Sequence, residues 1–145
     1  MAKIPAKLHE AINKAFPVNV LLVSTVQPDG YAQVSPRGSV IIYNDEHFAM
    51  WERGKGSTTA HMKDGTKVTL FYRNSEFRGP GGLLPKGGIA RFYGTASVHK
   101  SGPVYDKSWE HLIPAEKERD PDKKGFAVLI KVERAEDLDG DALET

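Results

Sequence analysis

The chain has no cysteine, which removes disulfides, thiolate nucleophiles and cysteine-ligated metal sites from consideration and is compatible with a reducing cytoplasm. No apolar run approaches membrane-spanning length. Residues 1–16 carry Lys3, Lys7, Glu10 and Lys14 among their apolar positions, so the uninterrupted apolar stretch of a secretory signal is missing. An excess of one charge is missing as well. Against 20 Lys+Arg stand 19 Asp+Glu, a net charge of +1, and nothing marks a nucleic acid or an anionic membrane as partner. There is no internal repeat, no linker and no extended low-complexity tract. These absences predict one soluble, cytoplasmic domain over residues 1–145, large enough to bury about two-thirds of its unfolded surface.

Familiar catalytic motifs are lacking too. The five histidines, His9, His47, His61, His99 and His111, show no metal-ligand spacing, so no metal site is expected. Asp137-Leu138-Asp139-Gly140-Asp141 has its glycine at the wrong place for a calcium loop and reads as a solvated acidic tail. Gly79-Pro80-Gly81-Gly82 does not complete a dinucleotide fingerprint, and no Ser/His/Asp set has an elbow context. Whatever chemistry occurs is expected to be carried by a cofactor.

What is present is a succession of short strands. Pro5 suits a first helical turn, and Leu8, Ile12 and Phe16 recur at four-residue steps until Pro17 stops the helix. Val18 to Val26 is a valine- and leucine-rich strand ending at the turn Gln27-Pro28-Asp29-Gly30. Tyr31–Ser35, Val40–Tyr43 and His47–Trp51 read as the next strands, and Lys67–Tyr72 as another. A glycine- and proline-rich segment, Asn74 to Gly88, follows. Ala90, Phe92, Gly94, Ala96 and Val98 then alternate with Arg91, Tyr93, Thr95 and Ser97, as in a half-buried antiparallel strand. Pro103 to Ile113 predicts a helix with Tyr105, Trp109 and Leu112 on one side. Asp120 to Gly125 reads as a solvated loop, and Phe126 to Val132 as the last strand. Six or seven strands in hairpin order favour a barrel or sandwich over a parallel sheet.

The most chemically informative stretch runs from Trp51 to His61. A strand breaks into Gly54-Lys55-Gly56 and restarts as a helix opening on Ser57, Thr58 and Thr59. Unpaired N–H groups at a helix start attract anions, glycines allow close approach, and hydroxyls and Lys55 add donors and charge. This is a phosphate cradle in outline, or an ordinary serine-capped helix. It is not a P-loop, because Gly56 separates the lysine from the first hydroxyl.

The order of these segments resembles the pyridoxamine 5′-phosphate oxidase-like FMN-binding split barrels. The resemblance rests on Val18–Val26 with Pro28-Asp29-Gly30, the strand Tyr31-Ala32-Gln33-Val34-Ser35-Pro36, and the Gly-Ser-x-x-Ala-His helix start before Lys67–Tyr72. Gly94-Thr95-Ala96-Ser97-Val98, Gly102-Pro103-Val104-Tyr105 and Phe126–Val132 continue it, over about residues 7–138. Arg78-Gly79-Pro80-Gly81 also resembles the hairpin of small dimeric bacterial FMN-binding proteins.

The resemblance implies a mainly β, six- to seven-stranded antiparallel split barrel with a few short helices. It further implies a homodimer with FMN at the subunit interface and oxidoreductase activity on a small molecule. By position, Lys55, Ser57, Thr58 and Thr59 would grip the FMN phosphate. Gln33, Val34, Ser35, Pro36 and Arg37 would lie along the isoalloxazine, and Met50, Trp51 and Glu52 along its other edge or the ribityl chain. On the residues alone, Gln33–Pro36 could equally be a barrel strand, Trp51 core packing and Arg37 a surface charge. The Asn74–Gly88 segment is expected to reach over the partner's flavin edge near Tyr105 and Trp109. Vitamin B6 oxidases proper carry paired basic residues where Thr58 and Thr59 stand, and a basic, aromatic C-terminal clamp where this chain has Glu136 to Glu144. Conversion of pyridoxamine phosphate itself is therefore not expected. A non-catalytic flavin or electron-transfer module, a deazaflavin-dependent reductase and a haem- or small-ligand-binding barrel are the alternatives.

Overall fold

A computed structural model describes residues 2–53 and 62–144. After a 3-10 turn (Ala6–Leu8) and the short helix α1 (His9–Asn13) come strands β1 (Leu21–Val26), β2 (Ala32–Arg37), β3 (Ile41–Asn44), β4 (His47–Glu52) and β5 (Lys67–Arg73). A second 3-10 turn (Ser75–Phe77) precedes β6 (Ile89–His99), α2 (Pro103–Glu110), α3 (Pro114–Glu118) and β7 (Phe126–Glu136). The seven strands form one sheet in the order β2-β1-β5-β6-β7-β4-β3, and every neighbouring pair is antiparallel.

The connection from β2 to β3 dictates the shape. These strands occupy opposite edges of the sheet, yet only Gly38-Ser39-Val40 lies between them. Six inter-strand steps of about 4.8 Å would put the edges of a flat sheet roughly 29 Å apart. The link can stretch only about 14 Å from Arg37 to Ile41. The sheet must therefore roll until its edges face each other. Because β2 and β3 do not pair, the cylinder stays split, as the family resemblance implied.

Strand alternation fills the interior. Leu21 and Val23 of β1, Phe48 and Met50 of β4, Leu70 and Tyr72 of β5, Ala90 and Phe92 of β6, and Val128, Ile130 and Val132 of β7 share one core with Ile4, Leu8 and Ile12. Phe48 and Phe92 meet edge to face at 4.9 Å, the arrangement their ring quadrupoles favour. At Gly94 a Cβ would stand 2.4 Å from the Lys131 carbonyl, so the β6–β7 register shift between Tyr93 and Gly94 accepts no side chain there.

Several expectations need correction. The first helix ends at Asn13, and Phe16, expected to extend its buried stripe, is 40% exposed; the residue before a proline is driven from helical geometry, and the chain leaves the helix before reaching it. The strand expected from Val18 starts at Leu21. The helix expected over Pro103–Ile113 ends at Glu110, and a further short helix opens beyond it at Pro114, where a residue lacking an N–H suits the first turn. The tail is not merely solvated. β7 runs on to Glu136, Leu143 donates back to the Ala135 carbonyl, and the Lys86 ammonium lies 3.3, 3.2 and 2.9 Å from Asp137, Asp139 and Asp141. The expected helix beginning at Ser57 falls mainly on residues 54–61, outside the described residues.

Candidate functional site

Edge strand β2 meets β4, the strand next to the opposite edge, through charge. Along β2 the outward residues Ala32, Val34 and Pro36 are exposed, whereas Gln33, Ser35 and Arg37 are half-buried. On β4 the alternation that buries Phe48 and Met50 in the barrel brings Glu52 to the same face at its end. The Glu52 side chain is 0% exposed, and its Oε1 lies 3.2 Å from Nη1 of Arg37, which is 20% exposed. A carboxylate so buried requires a partner cation, and Arg37 supplies it from across the split. Ser39 reinforces the same seam: its Oγ donates to the Trp51 carbonyl and accepts from the Trp51 N–H, both at 3.2 Å.

Trp51 points the other way, into a second core with Leu112 and Ala127 flanked by Val104, Tyr105 and Trp109. Its ring lies 5.1 Å from Tyr105 and 5.0 Å from Trp109, and its indole N–H donates to Asp120 Oδ2 at 2.8 Å. Asp120 also accepts from the Lys124 and Gly125 N–H groups. Burial pushes the Asp120 carboxyl up, but the bonds from Trp51, Lys124 and Gly125 and the charge of Arg53 outweigh it, leaving it below the ordinary aspartate value. The 120–125 segment, expected to be a solvated loop, is thus anchored to β4 by a buried carboxylate. Its sequence, rich in Asp and Lys, gave no sign of a partner in β4.

A model of the pyridoxamine 5′-phosphate oxidase family matches residues 5–138. The chain belongs to that family. Among solved structures, HupZ of Group A Streptococcus shares 24% identity at a TM-score of 0.68, covering 98% of this chain and 99% of its own. An FMN-binding protein from Syntrophomonas wolfei subsp. wolfei shares 12% at 0.61, covering 89% and 82%. HutZ, the haem storage protein of Vibrio cholerae, shares 15% at 0.51, covering 89% and 90%. At these identities the likeness establishes the fold alone. No curated protein matches the chain.

Within this family fold, the residues expected along a flavin divide into three groups. Arg37 and Glu52 are in contact, and the Trp51 backbone adjoins them through Ser39. Gln33, Val34, Ser35 and Pro36 extend from Arg37 along the edge strand, paired with Thr25 to Leu22 of β1. The side chains of Met50 and Trp51 are buried in separate cores, and Trp51 meets the seam through its backbone. Lys55, Ser57, Thr58 and Thr59 lie outside the described residues. The Asn74–Gly88 segment folds onto its own barrel: Asn74 N–H donates to Gly88 O at 2.9 Å, Gly79 N–H to Pro85 O at 2.8 Å, and Leu84 is buried in the main core. Sequence reasoning missed Ser39 and Asp120. Both act on Trp51 from distant positions, which a local motif cannot register.

Proposed function

We propose that the chain is an FMN-dependent oxidoreductase acting on a small molecule, and that it works as a homodimer with FMN at the subunit interface. Family membership over residues 5–138 carries this reading. Arg37 gives a test of fit. Its guanidinium is mostly buried, its charge is matched by Glu52, and its Nε–H has no partner among the described residues. Such a donor-rich group suits a ligand offering carbonyl or phosphate oxygens. When bound, FMN would supply hydride or electron exchange at its ring. Arg37, with Gln33 to Pro36, would orient the isoalloxazine, the seam at Met50, Trp51 and Glu52 would border it, and Lys55, Ser57, Thr58 and Thr59 would hold the phosphate. For the dimer, the support is an uncovered apolar face at the β2 edge, where Val26 and Val34 are 68% and 57% exposed on the same side of the β1–β2 pair; exposed apolar surface of this kind marks interfaces.

Purified protein carrying flavin absorbance supports the reading. A Soret band in its place supports the second reading, a haem-binding barrel, which the likeness to HutZ favours. Titration locates the phosphate. Removing the Thr58 and Thr59 hydroxyls together should weaken FMN by roughly ten- to a hundredfold, since a bond to a charged group is worth about 1.5–3 kcal/mol, and leave riboflavin almost unchanged. Equal weakening of both flavins would refute the phosphate assignment.

A further inference from the structure

The inner face of β4 ends in a charge. Phe48 and Met50 lie in the main core, and Glu52, next on that face, is wholly buried at the mouth of the barrel. Arg37 reaches it from the facing edge at 3.2 Å. As a plug this pair is poorly chosen, because two apolar side chains of similar volume would close the mouth without desolvating two charges. It also leaves the Arg37 Nε–H buried and unpartnered among the described residues, a further cost that closure alone does not require. What the pair accomplishes is orientation. Glu52 ties one end of a rigid, planar fork, while part of the Arg37 side chain remains open at 20% exposure. A fork fixed in this way loses little freedom when its open part donates to an acceptor.

We propose that Glu52 is a positioning residue, aiming Arg37 at an acceptor oxygen of the bound flavin, either a ring carbonyl or a phosphate oxygen. The proposal rests on the flavin reading above. Glu52, within the bordering seam, acts through Arg37 rather than by a bond of its own to the ligand.

Fluorescence titration with FMN and with riboflavin, run beside thermal melts, tests this. Glu52→Gln keeps the shape and removes the charge, and it should weaken flavin about tenfold, the worth of one bond made by a charged donor. Arg37→Met should weaken it at least as much. The double variant Arg37→Met/Glu52→Met removes both charges. Its melting midpoint should equal or exceed the parent's, while its flavin affinity stays as low as that of Arg37→Met. If Arg37→Met fails to fold alone, the comparison of the double variant with the parent decides. A loss shared by both flavins assigns the contact to a ring carbonyl, and a loss confined to FMN assigns it to the phosphate. A stable double variant that binds both flavins like the parent would overturn the proposal and make the pair a plug. A double variant binding tenfold more weakly than Arg37→Met would also overturn it, since Glu52 would then act independently of Arg37. A parent that binds neither flavin removes the flavin reading itself, and this assignment with it.

Discussion

The Trp51 indole, Asp120 and the backbone of residues 124–125 form a closed unit in which both carboxylate oxygens accept N–H groups. Trp51→Phe keeps most of the ring contact with Tyr105 and Trp109 but leaves Asp120 one donor short. The expected cost is about 1–3 kcal/mol, the penalty for depriving a buried polar group of a partner, read from chemical denaturation. The same unit has a pH signature. The Asp120 carboxyl is held below its ordinary value, so the unfolded chain binds its proton more tightly than the folded one. The stability it contributes is full above the unfolded value of about 3.9 and is lost as pH falls through the lower folded value. Melting midpoints measured from pH 6 downward should show this loss in the parent, and Asp120→Asn should lack that part of the slope. Sequence alone left Trp51 divided between core and ligand. The group that decides its side chain's place, Asp120, lies 69 positions away, beyond any local pattern.

Strands were the most legible elements, because alternation is a local property: β6 buries Ala90, Phe92, Gly94 and Ala96 as its pattern required. Ends and long connections were less so. The 74–88 segment was expected to reach over a partner's flavin edge, being too long and glycine-rich for a simple hairpin. Within its own chain, Asn74 caps the Ser75–Phe77 turn through its side chain, and Leu84 enters the core. A buried leucine anchoring a long connection gives a clear expectation: Leu84→Ala should lower stability by about 2–5 kcal/mol, as large-to-small core changes do, measured by urea denaturation. If the segment were only draped on the surface, the change would be within about 0.5 kcal/mol.

For the molecule as a whole, closure of the barrel and an uncovered outer face are linked, since rolling the sheet inward presents the outer residues of β1 and β2 to whatever lies beyond. Val26 and Val34 stand there at 68% and 57% exposure. The proposed homodimer predicts that Val26→Lys/Val34→Lys shifts sedimentation from dimer to monomer at micromolar concentration. These exposed positions contribute little to the fold, so the melting midpoint of the separated subunit at matched FMN should reveal how far cofactor and pairing depend on one another. A parent that sediments as a monomer with FMN bound would refute the dimer. The family was readable in the order of segments. The seam at Arg37 and Glu52 was not, because it takes the β3–β4 register, which runs on through Ser39 and Trp51, to set the end of β2 beside the end of β4.

The three-residue crossing from one edge to the other also bears on a chain still being made. The β3–β4 hairpin neighbours β7 and no other strand besides its own; Glu52, at its end, lies opposite Phe126. While the ribosome is still adding the intervening segments, β1, β2, β5 and β6 can assemble in order, but the hairpin has no strand to join. The apolar residues of β4 wait uncovered, as unfinished domains do when their pairings are distant in sequence. Arrival of β7, the last strand, moors the hairpin by pairing with β4 from His47 to Glu52. A chain cut short of β7 would leave β4 joined to β3 alone, with Phe48 and Met50 deprived of Val128 and Ile130 as core partners.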